Sequence, residues 1–374
     1  MLLVARKNLF AEKTRLAISI GGIALSVFLI GILLSLFRGW SEKVGSFVED
    51  VPADLWVASD RATDFAAAGS LLPDFLGRQL ELVPETDVVS PLIVRPLEMS
   101  RATDDLDDTF DVQLVGYDPK SGLGGPLEIV KGKSPPGPGE IIVDIAMRNR
   151  HGVEIGDRLV RGPKSLTVVG YARGGDFIYT QVGHVTIDTA LDFLDFQPQW
   201  RTFFVLTLND PSQAKLVAAR MALATPGVKY IPGDEFADDT RDRILGNILP
   251  ILLVVLVLAF VVGLAVAGLT IYTATVEKQR EYGILKAEGF TNPYLYRVVF
   301  EQSMVTGILG FLVGAGLTFL VAPFAQDLVP QFVVYVRWQD TVFVAGVTLL
   351  MALLAAYVPI RRLASIDPVT VFKG

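Results

Sequence analysis

Hydrophobic and polar positions are segregated along this chain into four long apolar runs and one large polar block. Residues 16–37, 248–276, 303–325 and 341–360 are runs of 22, 29, 23 and 20 residues without a single Asp, Glu, Lys or Arg. About 20 apolar residues cross the hydrocarbon core of a bilayer as a helix, so each run predicts a transmembrane helix. The first run is too long for a signal peptide. It continues into Phe37-Arg38-Gly39-Trp40 rather than a small-residue cleavage site. The predicted class is an α-helical membrane protein with four transmembrane helices, in a one-plus-three layout. A large α+β extracytoplasmic domain is inserted between helices 1 and 2.

The polar block, residues 51–245, reads as short alternating elements. Residues 54–58, 88–99, 109–117, 140–144, 151–159, 165–171, 199–208 and 228–231 are β-like, and residues 72–82 and 212–223 read as helices. The run Ser134-Pro-Pro-Gly-Pro-Gly139 is a linker. A glycine-rich β part at about 125–185 is expected as an insert, giving two lobes. The acidic turn Asp104-Asp105-Leu106-Asp107-Asp108 lacks the alternating spacing of a calcium loop and reads as a solvated hairpin tip.

Charge orients the chain. The leader carries Arg6, Lys7, Lys13 and Arg15; the segment between the second and third runs carries Lys278, Arg280, Lys286 and Arg297; the tail carries Arg361, Arg362 and Lys373. These three segments fall on one side when four spans alternate, and basic flanks mark the cytoplasm. The polar block is then extracytoplasmic. Its 32 acidic and 20 basic residues over 39–247 argue against nucleic acid and anionic headgroups as partners. The predicted location is the cell (cytoplasmic or inner) membrane, with both termini cytoplasmic.

Catalytic patterns are weak. The chain has no cysteine, which excludes disulfides, thiolate chemistry and Cys-ligated metals. His151 and His184, its two histidines, lie far apart without metal-ligand spacing. Gly132-Lys133-Ser134 imitates the end of a P-loop, but Leu127 stands where the phosphate-cradling glycine belongs. No nucleophile elbow is present. The expectation is a non-enzymatic subunit with no cofactor or metal of its own.

The polar segment after the second run is more informative. Its first half predicts a helix with mixed-sign pairs Glu277/Arg280 and Lys278/Glu281. Tyr282 and Leu285 share a face, and Gly289 can supply a left-handed C-cap. Asn292 and Pro293 suit the cap and first turn of a second helix that runs through Arg297 and Glu301 into the third span. The result is a helix–turn–helix elbow at the membrane surface.

Residues 280–291, R-E-Y-G-I-L-K-A-E-G-F-T, followed by F-E-Q at 300–302, resemble the signature of the FtsX-like permeases, the membrane subunits of MacB- and LolCDE-type ABC systems. The tail P-I-R-R-L-A-S-I-D-P-V-T-V-F-K at 359–373 resembles the family's closing motif. The leader at 5–16 resembles its amphipathic elbow helix, and H-G-V-E-I-G-D-R-L-V with L-T-V-V-G-Y resembles the MacB-like periplasmic core. The resemblance implies a cytoplasmic elbow at 1–15, spans at 16–38, 247–276, 303–325 and 341–360, and an outer core domain at 39–246. It also implies a coupling elbow at 277–302, an outer loop at 326–340 and a cytoplasmic tail at 361–374.

By the same resemblance, Arg280, Glu281, Tyr282, Gly283, Leu285, Lys286, Ala287, Gly289 and Thr291 form the segment that docks on an ATPase dimer, with Tyr282 replacing the usual Ile. Arg361, Arg362, Asp367 and Pro368 match the tail motif. Mg-ATP is expected on a separate cytoplasmic ABC ATPase, with a second permease copy alongside and a membrane-fusion adaptor in a two-membrane cell. The expected activity is mechanotransmission for export or extraction of a lipid-linked, peptide or amphiphilic cargo. The alternative is a regulatory transmitter that activates a cell-wall hydrolase and transports nothing. Gly22 and Ser26 in the first run, Gly263 and Gly268 in the second, and Gly310 and Gly314 in the third are small residues expected to allow close helix packing.

Overall fold

The computed structural model describes residues 13–62, 64–65, 69–102, 109–177, 180–328 and 333–364. The leader to residue 12, the turn at 104–108, and Asp367 and Pro368 lie outside the described residues. The helices are α1 (Lys13–Asp50), α2 (Phe75–Glu81), α3 (Ile145–His151), α4 (Ile187–Leu194), α5 (Ala214–Ala224), α6 (Gly233–Glu277), α7 (Gln279–Ala287), α8 (Asn292–Leu328) and α9 (Trp338–Ala364). The chain folds as two compact units, Met1–Gly39 with Ile248–Gly374, and Trp40–Asn247.

The first unit is helical. Among the described residues, α1, α6, α8 and α9 are long and apolar enough to cross a membrane. All four exceed that need, and α1 with 38 residues and α6 with 45 do so by continuing out of the first unit. At 1.5 Å per residue they measure about 57 and about 68 Å, against a hydrocarbon core of about 30 Å. The excess comes from residues 40–50 and 233–247, polar helical segments that belong to the second unit. Inside the bundle, Ile23, Val27, Ala259, Ala267, Ile271, Val344, Met351 and Ala355 form one buried cluster.

Small residues set the spacing between these helices. A Cβ on Gly22 would collide with Val266, one on Gly310 would lie 2.6 Å from Ile23 Cγ2, and one on Gly314 would lie 2.5 Å from the Ala24 carbonyl oxygen. A Cβ on Gly263 would meet Ser26 Oγ at 2.5 Å and Met351 Sδ at 2.7 Å. Gly268 differs: a Cβ there would come no closer than 3.9 Å to any neighbour, so it provides no close approach. Near the start of α9, the buried Asp340 accepts from Arg38 of α1, Nε to Oδ2 at 3.2 Å.

The second unit is built on one sheet. Its strands are β1 (Leu55–Ser59), β2 (Leu72–Pro73), β3 (Thr86–Arg101), β4 (Thr109–Tyr117), β5 (Glu128–Gly132), β6 (Glu140–Asp144), β7 (Arg158–Arg161), β8 (Lys164–Arg173), β9 (Gln181–Thr186), β10 (Trp200–Arg201), β11 (Phe203–Leu208) and β12 (Val228–Pro232). The order is β12-β1-β11-β3-β4-β9-β6-β8-β5, with β7 bridging β3 and β8, and β10 pairs with β2 separately. The 16-residue β3 pairs with β11 through Leu92 and with β4 from Ile93 onward. The glycine-rich part is therefore continuous with the rest of the sheet through this one strand.

Two local readings change. Residues 151–157 are not a strand, which begins only at Arg158: His151 closes α3, whose first turn is capped by Asp144 Oδ1 accepting from Ala146 N at 2.8 Å. Gly152, at φ 64°, ends it in the left-handed conformation that glycine tolerates. Likewise β5 and β9 arise within the stretch read broadly as β-rich but without a strand assigned there, and α3 and α4 where no helix is predicted. All the residues of β5 are exposed at a sheet edge, so burial leaves no alternation in its sequence.

An aromatic cluster in this unit includes rings from the segments of α1 and α6 that belong to it. Phe47 of α1 lies 5.0 Å from Phe65 and 6.0 Å from Phe177, ring to ring, and Phe236 of α6 lies 5.3 Å from Trp56. Such pairs add roughly 0.5–1.5 kcal/mol each beyond the area they bury. Around the cluster, Asp176 takes Lys43 at 2.9 Å and Arg150 at 2.8 Å. Burial would raise its pKa, but the two cations bring the carboxyl below the usual range.

Candidate functional site

The elbow after α6 is built by a bend and two caps. α6 ends at Glu277, Lys278 turns the chain at φ −88° and ψ 10°, and α7 follows. Lys278 N still donates to Ala274 O, and Tyr282 N to Lys278 O, so the bend breaks little of the helical ladder. The C-terminus is a Schellman motif: Gly289 stands at φ 95°, its N–H donates to Lys286 O at 3.1 Å, and Phe290 N–H donates to Leu285 O at 3.0 Å. The next helix starts at Asn292 itself. The cap position falls to Thr291, whose carbonyl accepts from Tyr294 N at 3.0 Å, one residue earlier than the sequence suggests.

One face of α7 is buried and one is not. Tyr282 packs with Ile271, Leu295 and Val299 in the same cluster as the bundle core, and Gly283 is buried beside it. Burial, with a smaller contribution from Glu281, pushes the Tyr282 phenol up to about 12. It is therefore neutral at any physiological pH. Leu285 is partly buried on the same side. The opposite face leaves Arg280, Glu281, Ala287, Gly289 and Thr291 exposed. Lys286 is half-buried.

Two exposed residues belong with this face and are absent from the sequence-derived set. Ile284 is 41% exposed and Phe290 40% exposed, the latter ring 4.9 Å from that of Tyr294. By residue type they resemble core positions, and only the face that the chain turns outward sets them apart. The arrangement is a short, capped helix braced from behind by an aromatic ring, with Ile284 and opposite charges exposed on its other face and Phe290 exposed just past its cap.

The remaining sequence-derived positions fall elsewhere. Arg361 lies over the Tyr357 ring at 4.8 Å, at the end of α9 with Arg362. Lys133 of the P-loop look-alike pairs with Glu140 at 2.7 Å, and Gly132 ends an edge strand rather than opening a helix. His151 stacks on Phe110 at 4.8 Å. His184 is buried between Phe47 and Tyr117, 5.9 and 6.2 Å away, and neither ring nitrogen has a hydrogen-bond partner.

Comparison with known proteins turns on the two halves of this architecture. Residues 16–223 match the MacB-like periplasmic core domain, and residues 245–368 match the FtsX-like permease C-terminal family. The chain belongs to the FtsX/MacB-type ABC transporter permeases. An uncharacterized ABC transporter permease of Mycobacterium tuberculosis (strain ATCC 25618 / H37Rv) is 24% identical over 381 residues, covering 100% of both chains. The lipoprotein-releasing system transmembrane protein LolC of Haemophilus influenzae is 27% identical over 186 residues, 47% of this chain and 46% of that one. The crystal structure of the periplasmic region of MacB from Actinobacillus actinomycetemcomitans aligns with TM-score 0.37 and 10% identity, over 49% of this chain and 90% of that one. As an ABC permease with four membrane-crossing helices, this is a membrane protein, and its family implies an ATPase partner.

Proposed function

We propose that this permease couples ATP hydrolysis by a separate cytoplasmic ATPase to movement of its outer domain, driving export or extraction of a lipid-linked, peptide or amphiphilic cargo. The observation that carries the reading is α7: a nine-residue helix at the root of α6, with Tyr282 packed inward, Ile284, Arg280 and Glu281 turned outward, and Phe290 exposed just past its cap. A braced helix with an exposed mixed face suits docking in a groove of an ATPase, because apolar anchors supply affinity while flanking charges fix register. The basic flanks of α1, α7 and the tail support placing that face in the cytoplasm and the outer domain outside.

Movement has a route. α6 is continuous from Gly233 to Glu277 and α1 from Lys13 to Asp50, and their outer segments carry Phe236 and Phe47 into the domain's aromatic core. A push on α7 thus reaches residues that cannot shift without disturbing that core. A second permease copy completes the pair of docking helices for an ATPase dimer, and a periplasmic adaptor would meet the outer domain in a two-membrane cell. The size of the outer domain favours export over the signalling alternative.

The test is ATP hydrolysis by the complex in proteoliposomes. Ile284→Asp, Glu281→Lys and Gly283→Pro are expected to reduce stimulated hydrolysis at least tenfold with membrane insertion unchanged. Unchanged stimulation in all three contradicts the docking role of α7.

A further inference from the structure

The root of α7 is held by a residue from the other end of the chain. Glu277 is the last residue of α6, and its carboxylate turns to Arg15 near the start of α1: Nη2 donates to Oε1 and to Oε2, each at 2.7 Å. The sequence offers Glu277 a local partner, Arg280, one turn on. Arg280 instead stays exposed on α7. Nearby turns bring the same two helices together, with Val266 over Gly22 and Ser26 Oγ against Gly263.

We propose that Arg15 is a positioning residue for the coupling segment: its ion pair ties the root of α7 to α1, so that displacement of α7 drives the first and second spans together rather than the second alone. This rests on the reading of α7 as the ATPase-docking helix. Without the pair, the last turn of α6 is free to swing about Lys278, and part of the displacement is lost there. With it, the turn is held against α1, and α1 is itself one of the two helices that continue into the outer domain. α8 and α9 have no such extension. Side-chain exposures of 26% and 59% mean the pair adds little to overall stability. That makes its mechanical role separable from folding.

The experiment is a charge exchange in the full permease–ATPase complex: Arg15→Glu, Glu277→Arg, and both together. Each single variant is expected to lower the ratio of stimulated to basal ATP hydrolysis two- to fivefold, at unchanged complex recovery and melting temperature, and the exchange to restore it to within about 1.5-fold. A positional role shows in this ratio and in hydrogen exchange at residues 272–282 of the permease alone, which the single variants speed and the exchange slows again. Singles indistinguishable from wild type, or an exchange that recovers neither readout, overturn the inference while docking stands. A wild-type permease that recruits no ATPase overturns the docking reading first, and this inference with it.

Discussion

His184 is the residue where burial and chemistry are most at odds. Enclosed by aromatic rings without a hydrogen-bond partner, it is pushed down to about 3 by desolvation. The folded imidazole therefore stays neutral, while the unfolded one takes up a proton below its ordinary value of 6.5. Stability is full above pH 6.5 and falls as pH drops toward 3, by up to about 1.4 kcal/mol per pH unit. Replacing the ring by His184→Leu should flatten that acid limb. Hydrogen exchange across β9 between pH 7 and 4.5 measures it: wild type should open more readily as pH falls and the variant should not.

The sequence made the roles of residues legible only where they are local. Gly289 as a left-handed cap follows from its place after a helical stretch, and its φ of 95° agrees. The partner of Glu277 could not be read, because Arg15 lies 262 positions away and an i,i+3 neighbour looked sufficient. Nor could Ile284 and Phe290 be separated from core residues by type alone, since exposure depends on which face the bend at Lys278 turns outward.

At the scale of elements, the four apolar runs were plain because a bilayer demands long uninterrupted helices. Their extensions were not: residues 40–50 and 233–247 are polar enough to look like part of the domain, and they are helical because α1 and α6 simply continue. A clasp fixes these extensions to each other. Arg241 donates Nε to Ser41 O at 2.8 Å and Nη2 to Glu49 at 2.8 Å, and also pairs with Asp238. Gly45 makes room for it, since a Cβ there would lie 2.7 Å from Nη2. Arg241→Ala should cost about 1.5–3 kcal/mol in local opening of this segment, seen by hydrogen exchange, from the loss of charge-assisted hydrogen bonds.

Helix packing in the bundle gives a second comparison. Gly314→Leu forces a side chain into the Ala24 carbonyl and Val27 and should destabilise the bundle by about 1–3 kcal/mol or more. Gly268→Ala meets nothing nearer than 3.9 Å and should be neutral. Thermal unfolding of the two purified variants in detergent separates them. Equal melting temperatures would refute the assigned spacing.

At the scale of the whole molecule, the proposed function gives the chain a driven end and a working end. The domain's strand content was mostly legible, because buried strands such as β4 and β8 carry closely spaced Val and Leu; the continuity of its sheet through β3 was not, since long-range pairing leaves no local mark. The most direct test is site-specific photo-cross-linking in native membranes, with the probe at Ile284 and a control at Leu82 of the sheet domain. The account predicts that the Ile284 probe captures an ABC ATPase and the Leu82 probe does not. An Ile284 probe that captures no ATPase, or that is labelled from outside the cell, would contradict it.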